Sequence, residues 1–447
     1  MTLEDLVSHA LRAAVAAGAR AADAVAVESD GSGVSVRLGE IEKVSEARER
    51  RIGLRAFVDQ SSAVLSTADL SPHSVERLAV DAVACAKVTA PDPAAGLPAA
   101  DEVCAAPPDL GLYDASIEQL STATRIDLAK RAEAAALAAD PAISNSEGAE
   151  FSSGAARVAY GSTLGFLGAY EGSSFSLHVV PVASRDGGMQ RDYWYTAARR
   201  FDGLEPAQSV GETAARRTLR RLGGRKVPTC RVPIVFDPEA AATLVRHLAA
   251  AVSGSAIYRG TSFLRDKLGE AVASPNLSVH DDGTMPGALG SKPFDGEGLL
   301  TRKTVVVDRG VLRSYLLDCY SARKLGLAST GNAARSIGEA PSVAPTNLFV
   351  LPGSHTPEEI VASVPRGLYV TELIGFGINP VTGDYSRGAA GLWIEGGELA
   401  HPVEEVTIAG NLLEMYGAID MLGNDLTFRG SISAPTLRIA AMTVAGA

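Results

Sequence analysis

Residues 223–253 read GGRKVPTCRVPIVFDPEAAATLVRHLAAAVS, and this stretch decides how the chain is divided. Two glycines, two basic residues and a proline at 223–229 make a poor element interior, so they predict a linker. The apolar run at 232–236 predicts a strand. The Asp-Pro-Glu sequence at 237–239 supplies an N-cap, a proline for the first helical position and an early carboxylate. A new domain is therefore predicted to begin with a strand followed by a helix.

The patterns on either side of this stretch predict an α+β fold. In the N-terminal half we predict helices at 3–18, 72–88, 116–139 and 206–222, strands at 24–28, 34–38, 51–58 and 62–67 with a turn at 30–33, and a β meander over 143–200. The C-terminal half is mostly β, with predicted hairpins at 304–316 and 392–400 and a helix at 319–325. We therefore predict an N-terminal mixed α/β domain at 1–222, a linker at 223–229, and a C-terminal β-rich domain with an antiparallel sheet at 230–447.

Composition and charge exclude several classes of function. The 447 residues carry 41 basic and 52 acidic side chains, a net charge of -11, which disfavours nucleic-acid binding even though residues 216–231 are rich in arginine. Glu4 and Asp5 stand where a secretory signal would carry basic residues, and the sequence has no apolar run of membrane-spanning length. The four cysteines form no paired motif. We expect a cytoplasmic protein with no membrane partner.

Motifs for hydrolytic chemistry are missing from the sequence. A zinc hydrolase usually places two histidines on one helix face, with a glutamate beside the first. None of the seven histidines here is followed by Glu, and no two lie within one helical turn. A nucleophile elbow, a P-loop and a dinucleotide-binding glycine motif are also missing. We therefore predict no catalytic residue and no local zinc motif in this chain.

Two acidic loops are candidate binding features. The first, HDDGTMPG, contains His280, Asp281, Asp282 and Thr284, and the second, DGEG at 295–298, follows closely. Carboxylates on neighbouring loops can bind a cation or a basic peptide. Aspartates before glycine also favour plain solvated turns, and that alternative stays open.

The glycine-rich segment TELIGFGINPVTGDYSRG at 371–388 is another candidate. Its glycine content argues against a buried strand and would permit close approach by an extended peptide, added as a strand at a sheet edge. Asp384, Tyr385 and Arg387 are the side chains predicted to contact such a peptide, and a strand–loop–strand with turn glycines is the alternative. Arg335, in the loop after the 319–325 helix, is a candidate for binding a carboxylate, or the loop simply ends that helix.

Four segments together resemble the TldD/PmbA family, and specifically its TldE (PmbA) branch. They read HDDGTMPGALGSKPFDGEG, YSARKLGLASTGNAAR, INPVTGDYSRGAAGLWIEGG and GNDLTFRGSISAPTLRI, in that order along the chain. The resemblance covers essentially the whole chain and is strongest from about residue 230 onward. It implies a peptidase system in which TldD members carry a zinc-binding His-Glu-x-x-x-His helix and a later cysteine ligand. TldE members share the fold without those ligands and pair with TldD around a chamber that admits unfolded peptides.

The resemblance also locates a degenerate metal helix at 243–253. There Arg246 precedes His247, Leu248 stands where the family's glutamate would be, and Ala251 lies four residues beyond the histidine. No cysteine follows Cys319, so the late ligand is missing as well. The resemblance therefore implies no zinc in this chain and zinc in a TldD-like partner. His247 itself is expected either to pack against the fold or to line the chamber.

The leading functional prediction is a non-catalytic TldE-type subunit of a heterodimeric zinc metallopeptidase that cleaves small unfolded peptides. The family resemblance implies roles in peptide-antibiotic maturation and antitoxin turnover. One alternative is a subunit recruited to cleave or modify an amide-containing metabolite in specialised biosynthesis. Another is a homodimeric binding module without catalysis.

Overall fold

The structure is a computed structural model that describes residues 1–103 and 106–446, so Cys104 lies outside the described residues. The N-terminal half alternates helices with long strands. In chain order these are α1 (Leu3–Ala16), β1 (Ala21–Arg37), β2 (Glu40–Val58), β3 (Ser61–Thr67), α2 (Pro72–Val88), α3 (Thr122–Ala138), β4 (Ile143–Ser162), β5 (Leu167–Arg185), β6 (Gly188–Arg191), β7 (Trp194–Ala198) and α4 (Ala207–Leu219), with 3-10 turns at Ala115–Gln119 and Phe201–Gly203.

The strands of this half form one antiparallel sheet in the order β3–β2–β1–β4–β5–β6, with β7 also paired to β5. The turn predicted at 30–33 is wrong, because β1 runs through it without a break. Gly31 lies opposite Ala47 of β2 and Gly154 of β4, so both backbone edges are paired there. Pairing on two sides outweighs the local turn preference of Asp and Gly residues.

Two helix pairs pack on this sheet with separate apolar cores. One core joins α1 and α2 to β1 and β2, and the other joins α3 and α4 to β4 and β5. Gly211 lets α4 approach α3 closely, because a Cβ there would lie 2.1 Å from the Ala132 carbonyl oxygen. The helix predicted at 116–139 is correct from Thr122 onward. Its first residues form a 3-10 turn that ends before Ser121, which caps α3 by accepting a hydrogen bond from the Thr124 N–H.

The C-terminal half is richer in strands. Its elements are β8 (Cys230–Phe236), α5 (Pro238–Ala251), α6 (Gly254–Tyr258), β9 (Val279–Asp282), β10 (Lys303–Asp308), β11 (Val311–Leu312), α7 (Cys319–Leu325), β12 (Ala333–Ala334), β13 (Ser342–Val343), β14 (Leu348–Val350), α8 (Pro357–Ala362), β15 (Arg366–Ile374), β16 (Asp384–Glu395), β17 (Glu398–Asn411), α9 (Leu412–Gly417), β18 (Ile419–Leu422), β19 (Ile432–Ser433) and β20 (Leu437–Ala445).

The main sheet of this half closes on itself. Its strand order is β17–β16–β15–β8–β20–β18, and β17 also pairs with β20, so the pairing forms a ring of β17, β16, β15, β8 and β20. The pair β8–β15 is parallel, and the other pairs in the ring are antiparallel. A second sheet has the order β11–β10–β9–β14–β19. One large apolar core contacts both sheets and the buried face of α5.

The fold is a mixed α/β structure with several sheets, as the sequence predicted. Residues 223–229 carry no helix or strand, and Arg225 makes an isolated bridge to Val403 of β17. The division into domains at this segment stays a prediction. No helix within the described residues is long and apolar enough to cross a membrane.

Candidate functional site

Helix α5 contains most of residues 243–253, the segment that the family resemblance predicts to be a degenerate metal helix. Asp237 caps it, accepting a hydrogen bond from the Ala240 N–H at 2.8 Å, and Pro238 occupies the first turn as predicted. His247 is half-buried. Leu248 is 2% exposed, and Ala251 and Val252 are equally buried and apolar. The position directly after His247, where the resemblance predicts a general base, and the positions four and five residues after it, where a second ligand is expected, are therefore part of the apolar core.

Strand β16 presents Tyr385 and Arg387 to this helix. The rings of His247 and Tyr385 meet edge to face, with centroids 6.2 Å apart and planes at 69°. Tyr385 is 2% exposed, so its ring fills the space beneath the helix. The Arg387 Nη2 donates to the Leu373 carbonyl oxygen at 3.0 Å, which holds the guanidinium beside the tyrosine. In the sequence, His247 belongs to the predicted metal helix and Tyr385 and Arg387 to the glycine-rich segment, and the fold brings the three residues together.

The electrostatics of this cluster oppose a metal ion. Burial, together with the positive charges of Arg387 and Arg246, lowers the pKa of His247 to about 4, so its imidazole is neutral at pH 7. Burial also raises the pKa of Tyr385, and Arg387 moderates that rise. Within the described ranges, no group of three or more His, Cys, Asp or Glu side chains is arranged to hold a metal. One neutral imidazole among arginines does not fit the three- or four-ligand set of a zinc site.

The predicted addition of a peptide strand beside Tyr385 and Arg387 is wrong for β16. This strand pairs with β17 on one side, and on the other the Ser386 N–H donates to the Gly377 carbonyl oxygen at 2.7 Å. The segment is instead the strand–loop–strand alternative, with β15 and β16 joined by residues 375–383. Asp384 is exposed at the end of the loop and accepts a hydrogen bond from the Thr382 hydroxyl at 2.6 Å.

The connecting loop, residues 375–383, projects apolar side chains into solvent. Phe376 is 99% exposed, and Ile374 and Val381 on either side of it are more than half exposed. A fully exposed phenylalanine flanked by other apolar groups is an unusual surface for a chain that functions alone. We refer to residues 374–381 as the apolar loop.

The acidic residues at 280–297 are used inside the fold. Asp281 is buried in β9 and accepts hydrogen bonds from Asn332 at 2.7 Å and from the Thr346 N–H at 2.8 Å. Asp282 accepts from the Thr284 hydroxyl at 2.6 Å, which closes the turn after β9. His280 packs edge to face against a phenylalanine ring, and burial lowers its pKa. Asp281 is therefore not open to a cation or a basic peptide, whereas a binding role for the half-buried His280, Asp282 and Thr284 stays a prediction.

Arg335 is also engaged within the fold. Its guanidinium donates to Asp23 at 2.7 Å, and Asp23 binds Arg55 of β2 at 2.5 Å. Glu297 lies 3.6 Å from Arg55 and accepts a hydrogen bond from the Cys319 N–H at 2.8 Å. The Arg335 side chain is 2% exposed, so it joins the two halves of the chain instead of facing a ligand. We call Asp23, Arg55, Glu297 and Arg335 the buried ion network.

Sequence reasoning missed this network and the environment of His247. Asp23 and Arg55 lie in strands whose neighbouring residues are apolar, and a charged residue inside such a strand was the available signal. The Tyr416 hydroxyl, which donates to the Leu244 carbonyl oxygen of α5 at 2.8 Å, was missed as well. Nothing in its local sequence distinguishes it from an ordinary core tyrosine.

Comparison with known proteins shows that three models of one family together match most of this chain. The family model described as PmbA/TldA metallopeptidase domain 1 matches residues 22–86, the central-domain model matches 115–222, and the C-terminal-domain model matches 229–446. The chain belongs to the PmbA/TldD metallopeptidase family.

Individual relatives show to which branch of the family the chain belongs. The chain is 38% identical to the metalloprotease PmbA of Escherichia coli O157:H7, over 99% of this chain and 96% of that protein. It is also 38% identical to a PmbA homologue of Haemophilus influenzae, with the same coverage. Within the family the chain is therefore of the PmbA, or TldE, branch.

Solved structures share the complete fold. A crystal structure from Bacteroides thetaiotaomicron superposes with a TM-score of 0.92 at 28% identity and covers 99% of both chains. TldE from Thermococcus kodakarensis superposes with a TM-score of 0.89 at 22% identity, covering 99% of this chain and all of that one. At that identity the second likeness concerns the fold alone.

Proposed function

We propose that this chain is the non-catalytic subunit of a heterodimeric TldD/TldE zinc metallopeptidase that cleaves small unfolded peptides. In this proposal the zinc and the general base belong to a TldD-like partner. This chain completes the chamber around the peptide and stabilises the partner. Roles in peptide-antibiotic maturation and antitoxin turnover belong to the same proposal.

The observation that carries the proposal is the composition of helix α5. The family resemblance assigns His247 the place of a ligand, but Leu248 and Ala251 are buried and apolar, and the charge of Arg387 acts on the histidine. A catalytic zinc requires three protein ligands and a base for its water. The PmbA relatives are named metalloproteases, so the catalytic metal is proposed to come from a second subunit.

The apolar loop supports a role in an assembly. Phe376 is 99% exposed and lies in the loop whose backbone is bonded to the strand carrying Tyr385 and Arg387. We propose that the apolar loop contacts the partner or the peptide within the chamber. Burial of one phenylalanine side chain contributes about 1.5–3 kcal/mol, enough to matter in a peptide complex.

Co-expression with a TldD-like chain from the same genome tests the proposal. The expected result is a co-purifying complex that contains zinc and cleaves unfolded peptides, whereas the chain alone cleaves none. Zinc-dependent cleavage by the purified chain alone, or failure of the two chains to associate, contradicts the proposal. A stable homodimer that ignores the TldD-like chain would favour the binding-module alternative. Cleavage of an amide-containing metabolite but not of peptides would favour the biosynthetic alternative.

A further inference from the structure

A cavity of about 450 Å³ lies between the two halves of the chain. Its buried lining includes Arg55 of β2, Glu297 and Asp318, and exposed residues such as Gln60 and Arg259 border it. Helix α5 contributes none of the described residues that line it, so the cavity is distinct from the degenerate metal helix. Its volume is within the range of about 300–1,000 Å³ that is typical of sites for small organic ligands.

Two buried carboxylates lie close together in the lining. Asp318 is 4% exposed, and its Oδ1 accepts hydrogen bonds from the N–H of Ser321, at 2.7 Å, and from its hydroxyl. The Asp318 Oδ2 has no hydrogen bond among the described residues. Glu297 is 2% exposed, and its Oε2 accepts from the N–H of Cys319, the residue after Asp318, at 2.8 Å. Buried polar groups almost always have partners, so the free oxygen in a cavity indicates a ligand that donates hydrogen bonds.

Arg55 adds a donor to the same cavity. Its Nε and Nη2 donate to Asp23, and its Cζ lies 5.0 Å from the centroid of the Phe57 ring, so the guanidinium is held in place. Its Nη2 also lies 3.6 Å from the Glu297 Oε1. The Nη1 has no hydrogen bond among the described residues, although the side chain is only 8% exposed. The cavity therefore presents carboxylate acceptors and a guanidinium donor within one small volume.

The charges and the free atoms define the ligand. In the buried ion network two arginines balance two carboxylates, so Asp318 leaves one negative charge in excess beside the cavity. A ligand with one ammonium group balances that charge. The free Nη1 of Arg55 requires an acceptor on the same ligand. The N-terminal residue of a peptide has an ammonium and a carbonyl oxygen on neighbouring carbons, whereas a lysine side chain has the ammonium alone.

Aromatic rings form one wall of the cavity. The rings of Tyr258 and Tyr320 meet edge to face, with centroids 5.7 Å apart and planes at 75°. The Tyr320 hydroxyl donates to Asp92 at 2.6 Å, which fixes its ring. This wall offers apolar surface to the side chain of a bound residue.

We propose that the cavity binds the N-terminal residue of a short peptide, with its ammonium on Asp318 and Glu297 and its first carbonyl oxygen on Arg55. The choice of a peptide as the carrier rests on the proposed function, whereas the pairing of the ammonium with the carboxylates rests on the side chains alone. The remainder of the peptide would leave the cavity past its exposed border.

Titration calorimetry on the full-length chain at pH 7 tests this with four probes. These are trialanine amide, with a free N-terminus; acetyl-trialanine amide, with no ammonium; acetyl-Ala-Lys-Ala amide, with an ammonium on a side chain only; and free alanine. We expect trialanine amide to bind at least about tenfold more tightly than either acetylated peptide. No binding of trialanine amide, or equal or tighter binding of an acetylated peptide, would overturn the proposal. Tighter binding of alanine would assign the cavity to free amino acids and overturn the choice of a peptide.

A pair of aspartate variants separates ligand binding from folding. Asn is as good an N-cap as Asp, so Asp318→Asn removes the charge and retains the cap of α7. We expect its affinity for trialanine amide to fall about tenfold or more with little change in Tm. Asp114→Asn is the matched control, because Asp114 caps the 3-10 turn at Ala115–Gln119 outside the cavity, and its affinity should be unchanged. Wild-type affinity in Asp318→Asn, or an equal loss in both variants, would contradict the site.

The pH dependence of binding gives a second readout that a purely structural role would not change. Burial, with Asp295 and Asp318 nearby, raises the pKa of Glu297 to about 7 against the opposing charge of Arg55. The neighbouring Cys319 thiol stays protonated, because burial and Glu297 raise its pKa. The ammonium requires the ionised carboxylate, so affinity for trialanine amide should rise about fivefold from pH 6 to pH 7, where the peptide's own ammonium is still mostly charged. Constant affinity in the wild type, or the same rise in Glu297→Gln, would contradict the proposal.

The outcome is independent of the subunit assignment. If the chain pairs with a TldD-like protein and supports cleavage, yet does not bind trialanine amide, the peptide site is refuted and the proposed function stands. If the chain binds trialanine amide but forms no complex with a TldD-like protein, the proposed function is refuted and the site stands.

Discussion

Replacing Asp23 with alanine should destabilise the protein strongly, because Asp23 joins the two halves through two buried arginines. Its carboxylate is fully buried and binds Arg55 at 2.5 Å and Arg335 at 2.7 Å. Desolvation raises the pKa of Asp23, but the charges of Arg335 and Arg55 outweigh that effect, and the pKa is lowered overall. The carboxylate is therefore ionised in the folded protein.

The size of the expected stability loss depends on which partners Arg55 and Arg335 retain after the substitution. Arg55 keeps Glu297 at 3.6 Å, whereas two nitrogens of Arg335, Nε and Nη2, already have no partner among the described residues. Asp23→Ala therefore leaves a buried and unpaired guanidinium. Removing one partner of a buried ion pair costs about 3–5 kcal/mol, and we expect a loss in that range in the free energy of unfolding.

Urea denaturation followed by circular dichroism measures the effect. Asp127→Ala is the matched control, because Asp127 pairs with Arg131 at 3.4 Å on the exposed face of α3, where such a pair contributes at most about 0.5 kcal/mol. In a double-mutant cycle, adding Arg335→Ala to Asp23→Ala should lower the free energy of unfolding by less than Arg335→Ala does alone. The expected coupling energy is about 1–3 kcal/mol. A loss below about 1 kcal/mol for Asp23→Ala, or strict additivity in the cycle, would refute the reasoning.

Three further predictions concern the apolar loop, the buried carboxyl and the histidine. Phe376→Ala should change the free energy of unfolding by less than about 0.5 kcal/mol, because the side chain is 99% exposed. The same substitution should weaken the complex with the proposed TldD-like partner or raise the KM of that complex. Unchanged affinity for the partner together with an unchanged KM would contradict the role of the apolar loop. Burial raises the pKa of Glu297 from 4.5 to about 7, so the folded state holds this proton more tightly and stability should fall as pH rises between those values. Glu297→Gln should flatten that slope in urea titrations at several pH values, and an unaltered slope would assign it to other groups. The imidazole of His247 should titrate by NMR with a midpoint near 4, and a midpoint near the ordinary value of 6.5 would place it in solvent.

Helices with local start and stop signals were predictable from the sequence. The helix predicted at 72–88 matches α2 at both ends, because Ser71 caps it and Pro72 occupies its first position. The helix at 319–325 matches α7, where Asp318 caps the start and Gly326, with φ of 66°, ends it in the left-handed conformation. These signals act over a few residues and need no knowledge of the rest of the chain.

Features that depend on distant contacts were not predictable in this way. The aspartate and glycines at 30–33 have turn propensity, yet pairing with β2 and β4 keeps them in a strand. Arg335 looked like a loop residue free to bind a ligand, but its partner Asp23 lies 312 residues away. No sequence period encodes such a pair.

The residues of the candidate site were predictable from the sequence, but their contact in the fold was not. The sequence identified His247 from its helix and Tyr385 and Arg387 from the glycine-rich segment, but treated them as separate features. Their contact follows from the closed ring of strands, which places β16 beneath α5. The absence of a local zinc motif could be read from the residues that follow each histidine. The positive charge around His247 could not be predicted without the fold, because Arg387 is distant from it in the sequence.

Zinc content of the purified chain is the most direct test of the central claim, that helix α5 does not form a metal site. The full-length chain, purified alone, incubated with zinc and dialysed, is measured by inductively coupled plasma mass spectrometry beside His247→Ala. We expect zinc near zero per chain in both proteins, because Leu248, Ala251 and the arginines leave His247 without further ligands. One zinc per chain that is lost in His247→Ala would contradict this claim.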